Sequence, residues 1–131
     1  MDGNYSRLPA LLDTVQGMTI LRENSKNDDG TDCVPGVEWF RFNGVAATNL
    51  YVNGNLWVGF GTSAEQLKIW RRDAAVYNVW HQQGTVAGLA FFKLRVQGYL
   101  HFSTTAAEHS ITYELILLQD GRMVLNLCQP P

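Results

Sequence analysis

The chain has 131 residues, a formal net charge of −2 and 46% hydrophobic residues, which indicates one domain with a single hydrophobic core. Only 17% of the residues are charged, less than the quarter or so that is usual. The small negative charge excludes long-range attraction to nucleic acid or to an anionic membrane, and no segment approaches the ~20 apolar residues of a membrane-spanning helix.

Residues 1–36 are predicted to be an N-terminal arm and a polar loop that pack on the domain. Within residues 1–16, LPALLDTV fits either a turn of helix or an extended arm. The start of the chain lacks the basic and long apolar regions of a signal peptide, so we expect synthesis in a bacterial cytoplasm. Residues 24–36, NSKNDDGTDCVPG, are rich in turn-forming residues and predict a loop.

This polar loop raises the question of calcium, which prefers several oxygen ligands. If Gly30 takes the sixth position of an EF-hand, Gly36 stands at the twelfth, where a glutamate is required. We therefore expect a solvated loop, no metal site and no cofactor.

The body of the domain, residues 37–131, is predicted to be an antiparallel, jelly-roll-like β-sandwich of about seven to nine short strands and at most one short helix. Asn53-Gly54 and Asp120-Gly121 each separate two apolar runs and predict tight hairpins. QLKIWRR (66–72) fits a capped helix or a strand, and we favour the strand. The other strand-like runs are VEWFRF (37–42), TNLYV (48–52), LWVGFG (56–61), AVYNVW (75–80), LAFFKLRVQGYLHF (89–102), ITYELILL (111–118) and MVLNLC (123–128).

The segment FRFNGVAATNLYVNGNLWVGFG resembles the opening of nidogen-like β-sandwich domains, with F-x-F-x-G, a strand, Asn-Gly, an apolar residue and Phe-Gly in order. VYNVWHQQGT (76–85), FFKLRVQGY (91–99) and ITYELILLQDGRMVLNL (111–127) are similar to later strands of that family. The residues that match the opening pattern are Phe40, Phe42, Gly44, Tyr51, Asn53, Gly54, Trp57, Phe60 and Gly61.

A second resemblance concerns WVGFGTSAEQLKIWRRDAAVYNVW, which is similar to small domains of phage tail and virion-surface proteins of gut bacteria. It implies a non-enzymatic structural or adhesion module of a phage tail or virion, which assembles with itself or attaches to a host surface. The implied partners are further copies of the chain, other virion or tail proteins, or a cell-surface glycan, with no nucleic acid and no membrane insertion. The implied location is the virion or tail particle, and an extracellular location is the alternative.

Exposed aromatic side chains would serve the alternative function, carbohydrate binding. Along residues 56–60, Leu56, Val58 and Phe60 face one way and Trp57 the other, so the alternation leaves open whether Trp57 lies in a core or contacts a ligand. Aromatic residues and arginine are enriched at interface hot spots. The candidate binding residues are Trp57, Trp70, Arg71, Arg72, Tyr77, Trp80 and His81.

Each candidate also has a purely structural interpretation. Trp70 and Trp80 fit half-buried positions at the sheet edges, and Asp73 lies close enough to Arg71 and Arg72 to form a salt-bridged corner.

Catalysis has little support in the sequence. No HExxH, GxSxG or P-loop motif is present. A glycan hydrolase would need two carboxylates about 5–10 Å apart in a cleft; Glu65, Asp73 and Glu114 were the residues available, and Glu114 is expected to face solvent. We expect a protein that is not an enzyme.

The two cysteines, Cys33 and Cys128, belong to no CxxC motif and have no histidine at zinc spacing. They could pair only if the fold brought them together, and a cytoplasmically made chain favours free thiols.

Overall fold

A computed structural model describes residues 17–70 and 72–128 of the chain. Residues 1–16, which the sequence predicts as an arm, lie outside this part. The described residues form eleven strands and a short 3₁₀ helix, Ala107–His109. The strands are β1 (Thr19–Arg22), β2 (Thr31–Pro35), β3 (Arg41–Phe42), β4 (Val45–Ala46), β5 (Asn49–Asn53), β6 (Trp57–Phe60), β7 (Leu67–Lys68), β8 (Ala75–Val86), β9 (Leu89–Tyr99), β10 (Ser110–Leu118) and β11 (Met123–Cys128).

The strands form two main antiparallel sheets that pack together, which confirms the predicted all-β sandwich. The five-stranded sheet has the order β1-β8-β9-β10-β11, the four-stranded sheet has the order β2-β5-β6-β7, and β3 and β4 form a small ribbon. Each sheet is built mainly from consecutive hairpins, a simpler connectivity than the jelly-roll-like one expected from sequence.

The strand count exceeds the predicted seven to nine because several strands have only two residues, and because β1 and β2 lie in the region for which the sequence predicts an arm and a loop. Thr31–Pro35, within the predicted polar loop, pairs with β5 along its whole length, since Val34 reaches the core. Among the described residues of the ambiguous segment 66–72, Leu67–Lys68 is strand, and it pairs with Trp57 and Val58 of β6.

One hydrophobic core lies between the two sheets. Alternate residues of the strands point inward, as the period of two requires, and the inward set of β10 is Tyr113, Leu115 and Leu117. The fully buried side chains of this core from β5, β6 and β9 are Leu50, Val52, Val58, Phe60, Phe92, Leu94 and Val96. The described residues contain no helix with the length and apolar character needed to cross a membrane.

The Asn53-Gly54 hairpin is confirmed, and it is fixed to the polar loop. The Asn53 amide Nδ2 donates to the carbonyl of Gly30 at 3.1 Å and to Thr31 Oγ1 at 3.0 Å. A Cβ on Gly54 would lie 2.4 Å from the carbonyl oxygens of Asn27 and Asp28, so only glycine allows this approach. The turn therefore holds the acidic loop against the end of β6.

The other face of the five-stranded sheet carries a buried group of ions. Lys93 is 0% exposed and Glu114 is 1% exposed, and the Lys93 ammonium lies 3.1 Å from Glu114 Oε2. The Arg95 guanidinium also pairs with Glu114 and lies 5.8 Å from the centre of the Trp80 ring. The expectation that Glu114 faces solvent is thus wrong, because its carboxylate is buried and paired with the side chains of Lys93 and Arg95.

Candidate functional site

A depression of about 260 Å³ lies beside the β6–β7 end of the four-stranded sheet. A neighbouring hollow of about 320 Å³ shares Lys68, Trp70 and Arg72 with it. The residues that line the depression are Asn55, Trp57, Glu65, Lys68, Trp70, Arg72 and Asp73.

Trp57 lines this depression because the opposite face of its strand is buried in the core. Leu56, Val58 and Phe60 are fully buried, so the alternation of β6 turns the indole of Trp57 away from the core. Trp57 is half-buried and sits opposite Lys68 in the β6–β7 register. The question that the sequence left open is thereby answered: Trp57 faces the depression.

Trp70 forms a second, fixed wall of the depression. Its indole Nε1 donates a hydrogen bond of 3.0 Å to the carbonyl of Leu100, and part of the ring packs against the core. A half-buried ring held at one edge loses little conformational freedom when a ligand lies on it. Trp57 and Trp70 therefore offer two pre-positioned aromatic surfaces in one depression.

Acidic, basic and amide side chains surround the two indole rings. Glu65 Oε1 and Lys68 Nζ are 3.2 Å apart, and Arg72 is exposed. Asn55 Oδ1 accepts a hydrogen bond of 3.1 Å from the backbone N–H of Ala74, which ties the segment with Arg72 and Asp73 to the β5–β6 turn. The depression thus combines two indoles with five polar or charged side chains, a composition that suits a polar ligand with an apolar face.

Acidic residues form one rim of the depression. Carboxylate oxygens of Asp28, Asp29 and Asp73 lie within 4.8 Å of one another, because the Gly54 turn brings the polar loop to the end of β6. Among the described residues this is the one group close enough to hold a metal ion, and exposed acidic groups commonly lie this close without one. We therefore describe the three as an acidic rim.

The remaining candidate residues lie elsewhere. Trp80 is on the outer face of the five-stranded sheet beside Arg95, and Tyr77 makes an edge contact with Tyr99, with ring centroids 5.1 Å apart. His81 stacks on Phe92 with centroids 6.5 Å apart, and burial lowers the pKa of its imidazole. 

Of the seven candidates, the structure thus brings together Trp57, Trp70 and Arg72, while Arg71 lies outside the described residues. Asn55 and Lys68 were not foreseen as site residues. Lys68 joins the site through the pairing of β7 with β6, which places it opposite Trp57 and which no local sequence pattern specifies.

Two of the carboxylates considered for hydrolysis, Glu65 and Asp73, line the depression, whereas Glu114 is buried on the other sheet. Both Glu65 and Asp73 are exposed to water. The proton donor of a glycosidase is usually kept protonated by an apolar pocket, and neither carboxylate has one.

Comparison with protein-family models, with curated proteins and with solved structures found no match. The resemblance to nidogen-like domains therefore stays a prediction from sequence. The cysteines Cys33 and Cys128 form no disulfide.

Proposed function

We propose that the chain is a non-enzymatic recognition module that binds a cell-surface glycan in the depression between Trp57 and Trp70. The observation that carries the proposal is that two half-buried indoles line one depression, and that one of them, Trp70, is held by a hydrogen bond to the carbonyl of Leu100. Trp70 also packs against the core, whereas the indole of Trp57 faces away from it, so core packing does not account for the position of Trp57.

The chemistry of the depression suits a sugar. The C–H face of a pyranose stacks on an indole, which has a large apolar surface, and the hydroxyl groups need donors and acceptors around the ring edge. Arg72 and Lys68 supply donors, while Glu65 and Asp73 supply acceptors. The volume of about 260 Å³ lies just below the range of drug-sized pockets, so we expect one or two sugar rings to be bound.

The setting that we propose for this module is host-surface attachment by a phage tail or virion, in association with itself or with other virion proteins. The support is the sequence resemblance across residues 37–128. The exposed positions of Glu65 and Asp73 support binding rather than hydrolysis.

The test is a panel of bacterial-surface polysaccharides and short oligosaccharides, read by tryptophan fluorescence and by calorimetry. We expect Trp57→Ala to weaken binding roughly tenfold to thirtyfold, since loss of an aromatic contact costs on the order of 1.5–2 kcal/mol. The matched control is Trp80→Ala, which removes another half-buried indole on the other sheet and should leave affinity unchanged. Equal losses in the two variants, or no binding across the panel, would contradict the proposal.

A further inference from the structure

Among the described strands, β11 is the last strand of the five-stranded sheet. No strand in residues 17–70 and 72–128 pairs with its far side. The backbone N–H of Leu118 donates to the carbonyl of Arg122 at 2.9 Å, and hydrogen-bonded pairs alternate along an antiparallel ladder. Asn126 therefore bonds to β10, and the N–H and C=O groups of Met123, Leu125 and Leu127 point outward from the sheet.

Two apolar side chains of β11 are exposed to solvent. Leu125 is 42% exposed and Leu127 is 54% exposed, and they lie on the face that also carries Tyr113 and Leu115, their register partners. The strand, MVLNLC, contains no charge and no proline. Soluble proteins usually protect edge strands with charges, prolines or bulges, and β11 has none of these.

The opposite edge of the same sheet is protected. Its strand β1 also exposes two apolar residues, but its register is broken between Ile20 and Arg22. The Arg22 guanidinium makes two hydrogen bonds to the Asp32 carboxylate, at 2.7 and 2.8 Å. The bulge disrupts the ladder of β1, and Arg22 places a charge in the strand, two features that hinder pairing with a further strand and that β11 lacks.

We propose that β11 pairs with β11 of a second copy of this chain, antiparallel and symmetric about Leu125. Leu125 then faces Leu125 of the partner subunit, and Met123 faces Leu127 of the partner subunit. All three outward-pointing residues exchange backbone hydrogen bonds, and no charge is brought opposite another.

We assign a second copy of the chain as the partner because the outward-pointing residues of β11 match the same residues of an antiparallel β11. The outward-pointing residues are evenly spaced about Leu125, and all of them are apolar. A two-fold pairing of this kind uses the same surface on both subunits and closes at a dimer. The proposed glycan function would gain from it, since two linked depressions raise avidity on a repetitive surface; that gain rests on the proposed function, whereas the pairing does not.

The first experiment is sedimentation of the full chain over roughly 1 µM to 1 mM, which spans weak to moderate affinities. We expect a monomer–dimer equilibrium. Leu125→Lys places two ammonium groups opposite each other and should raise the dissociation constant at least tenfold. The matched control is Leu21→Lys, since Leu21 is 41% exposed on β1 against 42% for Leu125 on β11, and it should leave the equilibrium unchanged. A monomer at every concentration, or equal effects of the two substitutions, would overturn the proposal.

The second experiment uses the unaltered chain, so that it does not depend on the folding of a variant. Amide hydrogen exchange of Leu125 and Leu127 should slow as concentration rises, while the Asn126 amide, bonded to β10, should be slow throughout. Fast exchange of Leu125 and Leu127 at concentrations where dimers form would show that another surface joins the subunits. Binding of a short oligosaccharide to Leu125→Lys is measured in parallel, because its loss or retention reports on the glycan site separately.

Discussion

Removing the charge of Glu114 should destabilise this domain more than any other single charge neutralisation among the described residues. Glu114 is 1% exposed and its partner Lys93 is 0% exposed, with 3.1 Å between the ammonium and the carboxylate. Glu114→Gln keeps the size and shape of the side chain but removes the buried negative charge that both Lys93 and Arg95 contact. Breaking a buried ion pair by removing one partner costs about 3–5 kcal/mol.

The contribution of Arg95 to this loss should be smaller, because its side chain is 21% exposed and can be rehydrated. At about 3–5 °C per kcal/mol for a domain of this size, the melting temperature should fall by roughly 10–20 °C. Calorimetry measures the melting temperature, and urea unfolding measures the free energy of unfolding. Lys93→Met in the Glu114→Gln background should recover at least half of the loss, since it removes the buried cation.

The matched control is Glu65→Gln. Glu65 also pairs with a lysine, Lys68, at 3.2 Å, but the two side chains are 44% and 41% exposed. An exposed pair contributes about 0–1 kcal/mol, so this variant should unfold near the temperature of the unaltered chain. A loss below ~1 kcal/mol for Glu114→Gln, or similar losses for the two variants, would refute the reasoning that burial sets the cost.

Two further stability predictions follow from buried polar groups. Tyr113 is fully buried and its hydroxyl has no hydrogen-bond partner among the described residues, so Tyr113→Phe should raise the free energy of unfolding by about 1 kcal/mol; a decrease in a urea titration would show that the hydroxyl is satisfied. Burial lowers the pKa of His81 below its usual value of 6.5, so the unfolded chain takes up the proton first and stability should fall as the pH drops below about 6.5. His81→Gln should flatten the melting temperature between pH 7 and pH 5, and an unchanged slope would contradict the assignment.

Local sequence signals accounted for most of the fold. Phe92, Leu94 and Val96 lie on the core face of β9 as their alternation predicts, and the Asp120-Gly121 turn closes the β10–β11 hairpin, with Gly121 at φ +96°. These features depend on neighbouring residues, so the sequence alone is sufficient. The local sequence does not predict Thr31–Pro35 as a strand because Asp and Pro are weak strand formers, and pairing with β5 overrides that preference.

The sequence by itself determined the all-β class, the hairpin turns and the sets of residues that share a face, because a period of two and the turn chemistry are properties of adjacent residues. The tertiary structure decided which face of each strand is buried. Only the packing of the two sheets turns Leu56, Val58 and Phe60 inward and leaves Trp57 in the depression. It also brings Asp73 to Asp28 and Asp29 and buries Glu114, since contacts between distant segments depend on strand pairing that no local pattern specifies.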